Sequence, residues 1–238
     1  MHYKDLGRAA SVDADFSDKI VSADETGCPA KPIAIDYDAP YEKALKTKDP
    51  KDIAKFLKSW RTRTGISSTK IERYIKIKSQ ELRTLRNLDI VSVDLESSVH
   101  VGGRPRVLRD VVIDLFNTFL DVSEQLGRRD YTASSKTLHV LLPKLFVMWD
   151  DCIRCAYRCK VRRPKEAGTK YFTFLKRVQR EAKEAVESYC KEHNCTVNEA
   201  VQEIERSLYE GGFYSFARLL DQYNFQKYTV GDDRLWTK

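Results

Sequence analysis

A chain of 238 residues is long enough to bury a substantial core, as one large domain or two modest ones. Its hydrophobic fraction of 42% is ordinary and its charged fraction of 32% is high. No apolar run approaches the length of a membrane span, and Met1-His2-Tyr3-Lys4-Asp5 lacks the apolar core of a signal peptide, so a cytoplasmic protein with no membrane association is expected. The formal net charge of +7 is unevenly spread: residues 1–50 carry seven Lys/Arg against ten Asp/Glu, which puts +10 on residues 51–238. A basic body behind an acidic leader points to a polyanionic partner, nucleic acid first.

Residues 1–31 are polar without a sustained period and read as a leader; a helical domain is expected over 32–238. Asp49-Pro50 is a helix start, with Asp as N-cap and Pro at the first helical position. Phe56, Leu57 and Trp60 mark one side of that helix, and Lys51, Lys55, Lys58 and Arg61 the other. Thr69 and Glu72 form a capping-box pattern ahead of the stripe Ile71, Ile75, Leu82 and Leu85. Lys70, Arg73, Lys76, Lys78 and Arg83 lie outside that stripe. Val99–Arg106, with Gly102-Gly103 and Pro105, reads as a loop or short turn.

A strongly apolar helix is expected from about Val107 to Leu126, with Val111, Leu115, Phe119 and Val122 inward and Gly127 as its stop. Short helices follow around 132–142 and 150–160. A basic loop over 160–170 leads into a long helix ending near His193. Thr196 with Glu199 is a second capping box, and Tyr214–Gln226 a last helix. Strand patterns are weak, with brief alternation only at Ile90–Val93 and Val99–Val101. The fold class expected is mainly α.

Cys152, Cys155 and Cys159 are spaced like one helix face, where reduced cysteine packs as a small hydrophobe. A metal site drawing on Cys190 and Cys195 is the competing reading, and core packing without metal is preferred.

The stretch Ser134-Ser135-Lys136-Thr137-Leu138-His139 to Phe146-Val147-Met148-Trp149-Asp150 carries the chemistry. It sets a lysine in a small apolar helix and an aspartate behind a bulky apolar run, where desolvation can shift a pKa toward function. Thr132, Ser134 and Ser135 bring hydroxyls to a helix N-terminus, which suits a phosphate. Asp150 and Asp151 begin the next helix; one is accounted for as an N-cap, and the second could stabilise a developing sugar cation. Arg158, Lys160, Arg162, Arg163, Lys165 and Lys170 form a basic tract, continued by Lys176, Arg177 and Arg180. Tyr171, Phe172 and Phe174 interleave with it, either to stack on bases or as helix core.

The run Ser135-Lys136-Thr137-Leu138, with Trp149-Asp150-Asp151-Cys152-Ile153, resembles the catalytic segment of helix-hairpin-helix DNA glycosylases. Lys136 falls on the lysine that forms a Schiff base in bifunctional members, Asp150 on the catalytic aspartate, and Ile153 on the apolar residue after it. Phe56-Leu57-x-x-Trp60-x-x-Arg63 and the Ser-Lys-x-Leu-His…Phe-x-x-Trp-Asp core are similar to uncharacterised bacterial and phage proteins. The chain departs from the family in having Tyr131-Thr132-Ala133-Ser134 where a Leu-Pro-Gly-x-Gly hairpin stands. Its lysine-to-aspartate loop is also shorter, and the iron–sulfur cysteine loop of some members is not reproduced. The resemblance implies a multi-helix glycosylase fold, with two helical lobes and a cleft. It implies a monomer without cofactor that flips a damaged or modified nucleotide from duplex DNA. Asp150 and Lys136 are then catalytic, with Tyr131, Trp149 and His139 around the base. A non-catalytic DNA-binding protein on the same scaffold is the alternative. A helical ribonuclease lacks support, because His2, His100, His139 and His193 are scattered and no Arg-x4–6-His motif is present.

Overall fold

The computed structural model describes residues 4, 38–60, 65–123, 129–207 and 215–230. The leader over 1–31, residue 4 apart, lies outside the described residues, as do Arg61, Arg63, Tyr214 and Gly127. The chain is mainly helical. The helices are α1 (Asp38–Thr47), α2 (Pro50–Ser59), α3 (Ser68–Ile77), α4 (Ser79–Leu85) and α5 (Leu108–Phe119). They continue with α6 (Tyr131–Leu141), α7 (Asp151–Ala156), α8 (Ala167–His193), α9 (Val197–Ser207) and α10 (Phe216–Asn224). A short 3-10 turn (Pro164–Glu166) precedes α8, and a π-helical segment (Phe225–Val230) continues α10. No described helix is long and apolar enough to cross a membrane.

Caps set most of these starts. Asp49 accepts from the Lys51 amide at 2.8 Å, with Pro50 at the first helical position. Thr196 and Glu199 bond reciprocally, through the Thr196 amide at 2.8 Å and the Glu199 amide at 3.4 Å. The start of α3 differs from the expectation at Thr69. Ser67 is the cap, accepting from the Lys70 amide at 3.3 Å, because the Ser67 amide donates to Val122 O at 2.9 Å and fixes where the helix begins.

Ser98–Val101 (β1) and Arg104–Val107 (β2) form an antiparallel hairpin in the region read as a loop, with Val101 opposite Arg104. Gly102 and Gly103 have φ of +57° and +80°, the conformation a two-residue turn requires and glycine supplies. Ile90–Val93, by contrast, is a turn rather than a strand. Its carbonyls at Ile90 and Val93 each accept from Gln179 Nε2 at 2.8 Å, so α8 takes the place of a partner strand. Helix α5 ends at Phe119, well before the expected Leu126, and α7 is one short piece rather than a helix over 150–160.

Buried apolar side chains from α1 to α10 form one cluster, centred where α5, α6 and α8 meet. Tyr171 stacks on Phe116 at 4.2 Å and lies edge-on to Trp149 at 5.0 Å. Its hydroxyl donates to Val147 O at 2.7 Å, and Trp149 Nε1 donates to Tyr131 O at 3.0 Å, so both polar tips are satisfied inside. The crossing of α5 and α8 depends on Gly168. Its amide donates to Asn117 Oδ1 at 3.0 Å, and a Cβ there would lie 2.7 Å from Ile113 O. Gly168→Ala should therefore separate the helices and cost about 1–3 kcal/mol. Urea denaturation checks this; an unchanged midpoint would contradict the close crossing.

Candidate active site

Helix α6 is buried on every side from Ala133 to Leu141, so each polar side chain on it must find an internal partner. Asp130 caps it, accepting from the Ala133 amide at 2.8 Å. Ser134 donates to Phe116 O at 2.9 Å. Ser135 shares its hydrogen between Thr132 O at 2.9 Å and Trp149 O at 3.3 Å, and accepts from the Trp149 amide at 3.2 Å. The phosphate site expected from Thr132, Ser134 and Ser135 is therefore not what this helix start presents. A carboxylate already caps it, two of the three hydroxyls are sealed in the core, and Thr132 is half-buried. What Ser135 does instead is tie α6 to the residue before Asp150.

Lys136 is only 4% exposed, and its Nζ lies 2.8 Å from the centroid of the Trp60 ring. An aromatic face stabilises a desolvated ammonium by about 2 kcal/mol or more, which does not by itself offset the several kcal/mol of removing the charge from water. The further compensation comes from α10. Asp221, 5% exposed, lies within electrostatic reach of Lys136 and accepts from Arg218 Nη1 at 2.5 Å. Burial pushes the Asp221 carboxyl above the ordinary range, Arg218 and Lys136 pull it down, and the nearby Asp150 charge adds to the rise. The Arg218 guanidinium in turn lies over the Tyr41 ring at 4.7 Å.

His139 continues the same network. Its Nδ1 donates to Phe146 O at 2.6 Å, so Nε2 accepts from the Tyr41 hydroxyl at 2.8 Å. Burial depresses its pKa to about 3, aided by the Arg218 and Lys136 charges and opposed by the Phe146 carbonyl. The ring is thus neutral and fully enclosed, and it lines no base pocket. Trp149 is likewise enclosed among Phe116, Tyr171 and Phe174. Of the three residues expected around a base, only Tyr131 is half-buried rather than enclosed.

Asp150 caps α7, its Oδ1 accepting from the Ile153 amide at 2.9 Å. Its Oδ2 accepts from Thr229 Oγ1 at 2.7 Å, on the π-helical segment. The side chain is half-buried and faces inward, whereas Asp151 is 69% exposed and pairs with Arg154 one turn on. That arrangement separates the two aspartates. Arg154 lies over Tyr131 at 5.2 Å and Trp149 at 5.4 Å, and its buried Nη1 has no hydrogen-bond partner among the described residues. Burial lowers its pKa, against the pull of Asp150 and Asp130.

Immediately beyond α7, Arg158, Lys160, Arg162, Arg163 and Lys165 are exposed and Lys170 is half-buried. Arg163 donates to Glu166 at 2.6 Å; the others form no ion pair with a described residue. Tyr171, Phe172 and Phe174 face the core, so the aromatics interleaved with this tract do not stack on bases. The three cysteines do not share one face either. Cys155 is exposed, Cys152 half-buried, and Cys159 lies beyond the end of α7 with its thiol directed at Tyr157 O at 3.3 Å. Cys28 lies outside the described residues. Among the described residues no three His, Cys, Asp or Glu side chains converge as metal ligands do.

The sequence pointed to Lys136 and Asp150, and the fold adds Trp60, Arg154, Arg218, Asp221 and Thr229. The polar run Arg218, Asp221, Gln222, Asn224 and Gln226, set among apolar residues and buried throughout, was the available signal. No protein-family model, curated protein or solved structure matches the chain.

The depressed His139 pKa has a definite sign. The unfolded ring takes up a proton below about 6.5 and the folded ring does not, so His139's contribution is present above pH 6.5 and is lost as pH falls toward 3. Stability at pH 5 should be about 2 kcal/mol below that at pH 7 from this group alone. Denaturant midpoints across pH, compared with His139→Gln, isolate the effect; identical slopes in the two proteins would refute it.

Proposed function

We propose that the chain is a DNA glycosylase that hydrolyses the N-glycosidic bond of a flipped, damaged or modified nucleotide, with water as nucleophile. The observation that carries this reading is Asp150. A half-buried carboxylate held by Ile153 N and Thr229 Oγ1 has a fixed direction, and the cations Arg158, Lys160, Arg162 and Lys165, which pair with no described acid, follow its helix directly. In such a reaction the C1′–N bond breaks, the base leaves with the electron pair, and a carboxylate stabilises the cationic sugar until water adds. A preoriented carboxylate suits that role because it needs no reorganisation.

Lys136 has a different part in this scheme from the covalent one the resemblance implies. Enclosed beneath Trp60 and within electrostatic reach of Asp221, it stays in the interior and does not attack C1′. The product is then an abasic strand left intact. The fold is taken as glycosylase-like, with the nucleotide entering a cleft between two helical lobes, and the protein acts as a monomer without cofactor.

Hydrogen bonds already made to both Asp150 oxygens favour a second reading, a DNA-binding protein on this scaffold without activity. Duplexes carrying damaged or phage-type modified bases separate the two. The glycosylase reading expects released base and alkali-labile sites, lowered about a hundredfold or more by Asp150→Asn. Borohydride should trap no protein–DNA adduct. Undiminished base release in Asp150→Asn would remove the mechanism. Salt-sensitive binding without any abasic sites would establish the second reading.

A further inference from the structure

The cationic face of α3 and α4 is separate from the tract after α7. Residues 65–109 hold nine Lys/Arg against five Asp/Glu. Hydrogen bonding runs through the α3–α4 junction, from Lys78 N to Tyr74 O and from Leu82 N to Lys78 O, both at 2.9 Å. Arg73, Lys76, Ile77, Gln80 and Arg83 therefore follow one row at three- and four-residue spacing. The β-hairpin lies along that row. Thr84 Oγ1 donates to His100 O at 3.1 Å, and the tip rests on Gln80, so closely that a Cβ on Gly102 would fall 2.3 Å from Gln80 Oε1. The hairpin tip is thereby carried toward Lys76 and Ile77, with exposed Arg104 just after the turn.

Acidic groups are distributed in a way that leaves this face positive. Lys78 pairs with Asp114 at 2.7 Å and with Glu81 at 3.6 Å, and Arg106 bridges the same two carboxylates at 3.4 and 3.3 Å. This inner network fixes the hairpin to α4 and α5. Outside it, Arg73, Lys76, Arg83, Arg86 and Arg104 are exposed and pair with no described acid, and Glu72 is the one acid exposed on the outer side of α3 and α4. Ile77, 57% exposed, sits in their midst. A row of exposed cations beside a hairpin tip offers the positive charge that contacts a phosphate backbone.

We propose that this face is a second contact for duplex DNA, holding the duplex flanking the nucleotide engaged near Asp150. The proposal rests on DNA being the partner under the function proposed above. Fluorescence anisotropy with a labelled duplex, over a series of salt concentrations, tests it using Lys76→Gln/Arg83→Gln/Arg104→Gln alongside Arg162→Gln/Lys165→Gln. The first variant should weaken binding at least tenfold at low salt. It should also reduce the slope of log K against log salt by roughly 2–3, at about 0.9 for each phosphate no longer neutralised. These side chains are exposed, so its denaturation midpoint should match the wild type. Lys76 in the wild-type protein should also become protected from acetylation when duplex is added. If the wild type binds duplex and only the Arg162/Lys165 variant changes the slope, the second contact is refuted and the DNA reading stands. Absence of duplex binding by the wild type, or preference for single-stranded RNA of equal length, overturns both.

Discussion

Enclosing a charged helix position is the constraint around which the rest of this molecule is arranged. Helix α6 has no solvent-facing side beyond its first turn, yet carries Ser134, Ser135, Lys136, Thr137 and His139. Each hydroxyl donates to a backbone carbonyl, and the histidine is held neutral between Tyr41 and Phe146. Lys136 is compensated from farther away. Its ammonium is offset by the Trp60 ring on the N-terminal side of the chain and by Asp221 on the C-terminal side. The C-terminal end of α2 and helices α6 and α10 are thus linked by charge compensation as well as by apolar burial.

The same compensation shapes what the centre can do. Lys136, enclosed beneath the Trp60 ring, is not presented at the surface as an attacking amine would need to be. Asp150, at the edge of this interior, is more accessible and is aimed by two donors on different elements. One is the Ile153 amide of its own helix; the other is the Thr229 hydroxyl, delivered by the π-helical turn after α10. A π turn rotates the side chains that follow it relative to a continued α-helix, and such turns often occur at functional sites. Below it, the Tyr157 hydroxyl lies 2.6 Å from Glu181 and 2.8 Å from Asn224, a second polar layer that joins α8 to the end of α10.

Charge on the surface follows a complementary logic. Near the hairpin, acidic residues are used inward to anchor Lys78 and Arg106, and the outward cations pair with no described acid. After α7 the same holds, with only Arg163 matched by a neighbouring acid among the described residues. The two positive faces thus lie on separate elements, one after α7 and one along α3 and α4.

Local sequence was enough to specify the mainly helical character, the Asp49-Pro50 and Thr196–Glu199 starts, and Lys136 and Asp150 as the unusual charges. Those features rest on contacts within a few residues, or on apolar spacing that local chain geometry enforces. It could not decide which cap starts α3, because a backbone bond to Val122 settled that. Nor could it tell that Tyr171, Phe172 and Phe174 face inward, or that Trp149 and His139 are sealed off. Tertiary packing alone brought Trp60, Arg218, Asp221 and Thr229 around the Lys136–Asp150 segment. A buried charge takes its compensation from whatever the fold places beside it, and residues about eighty positions apart leave no local pattern of that encounter.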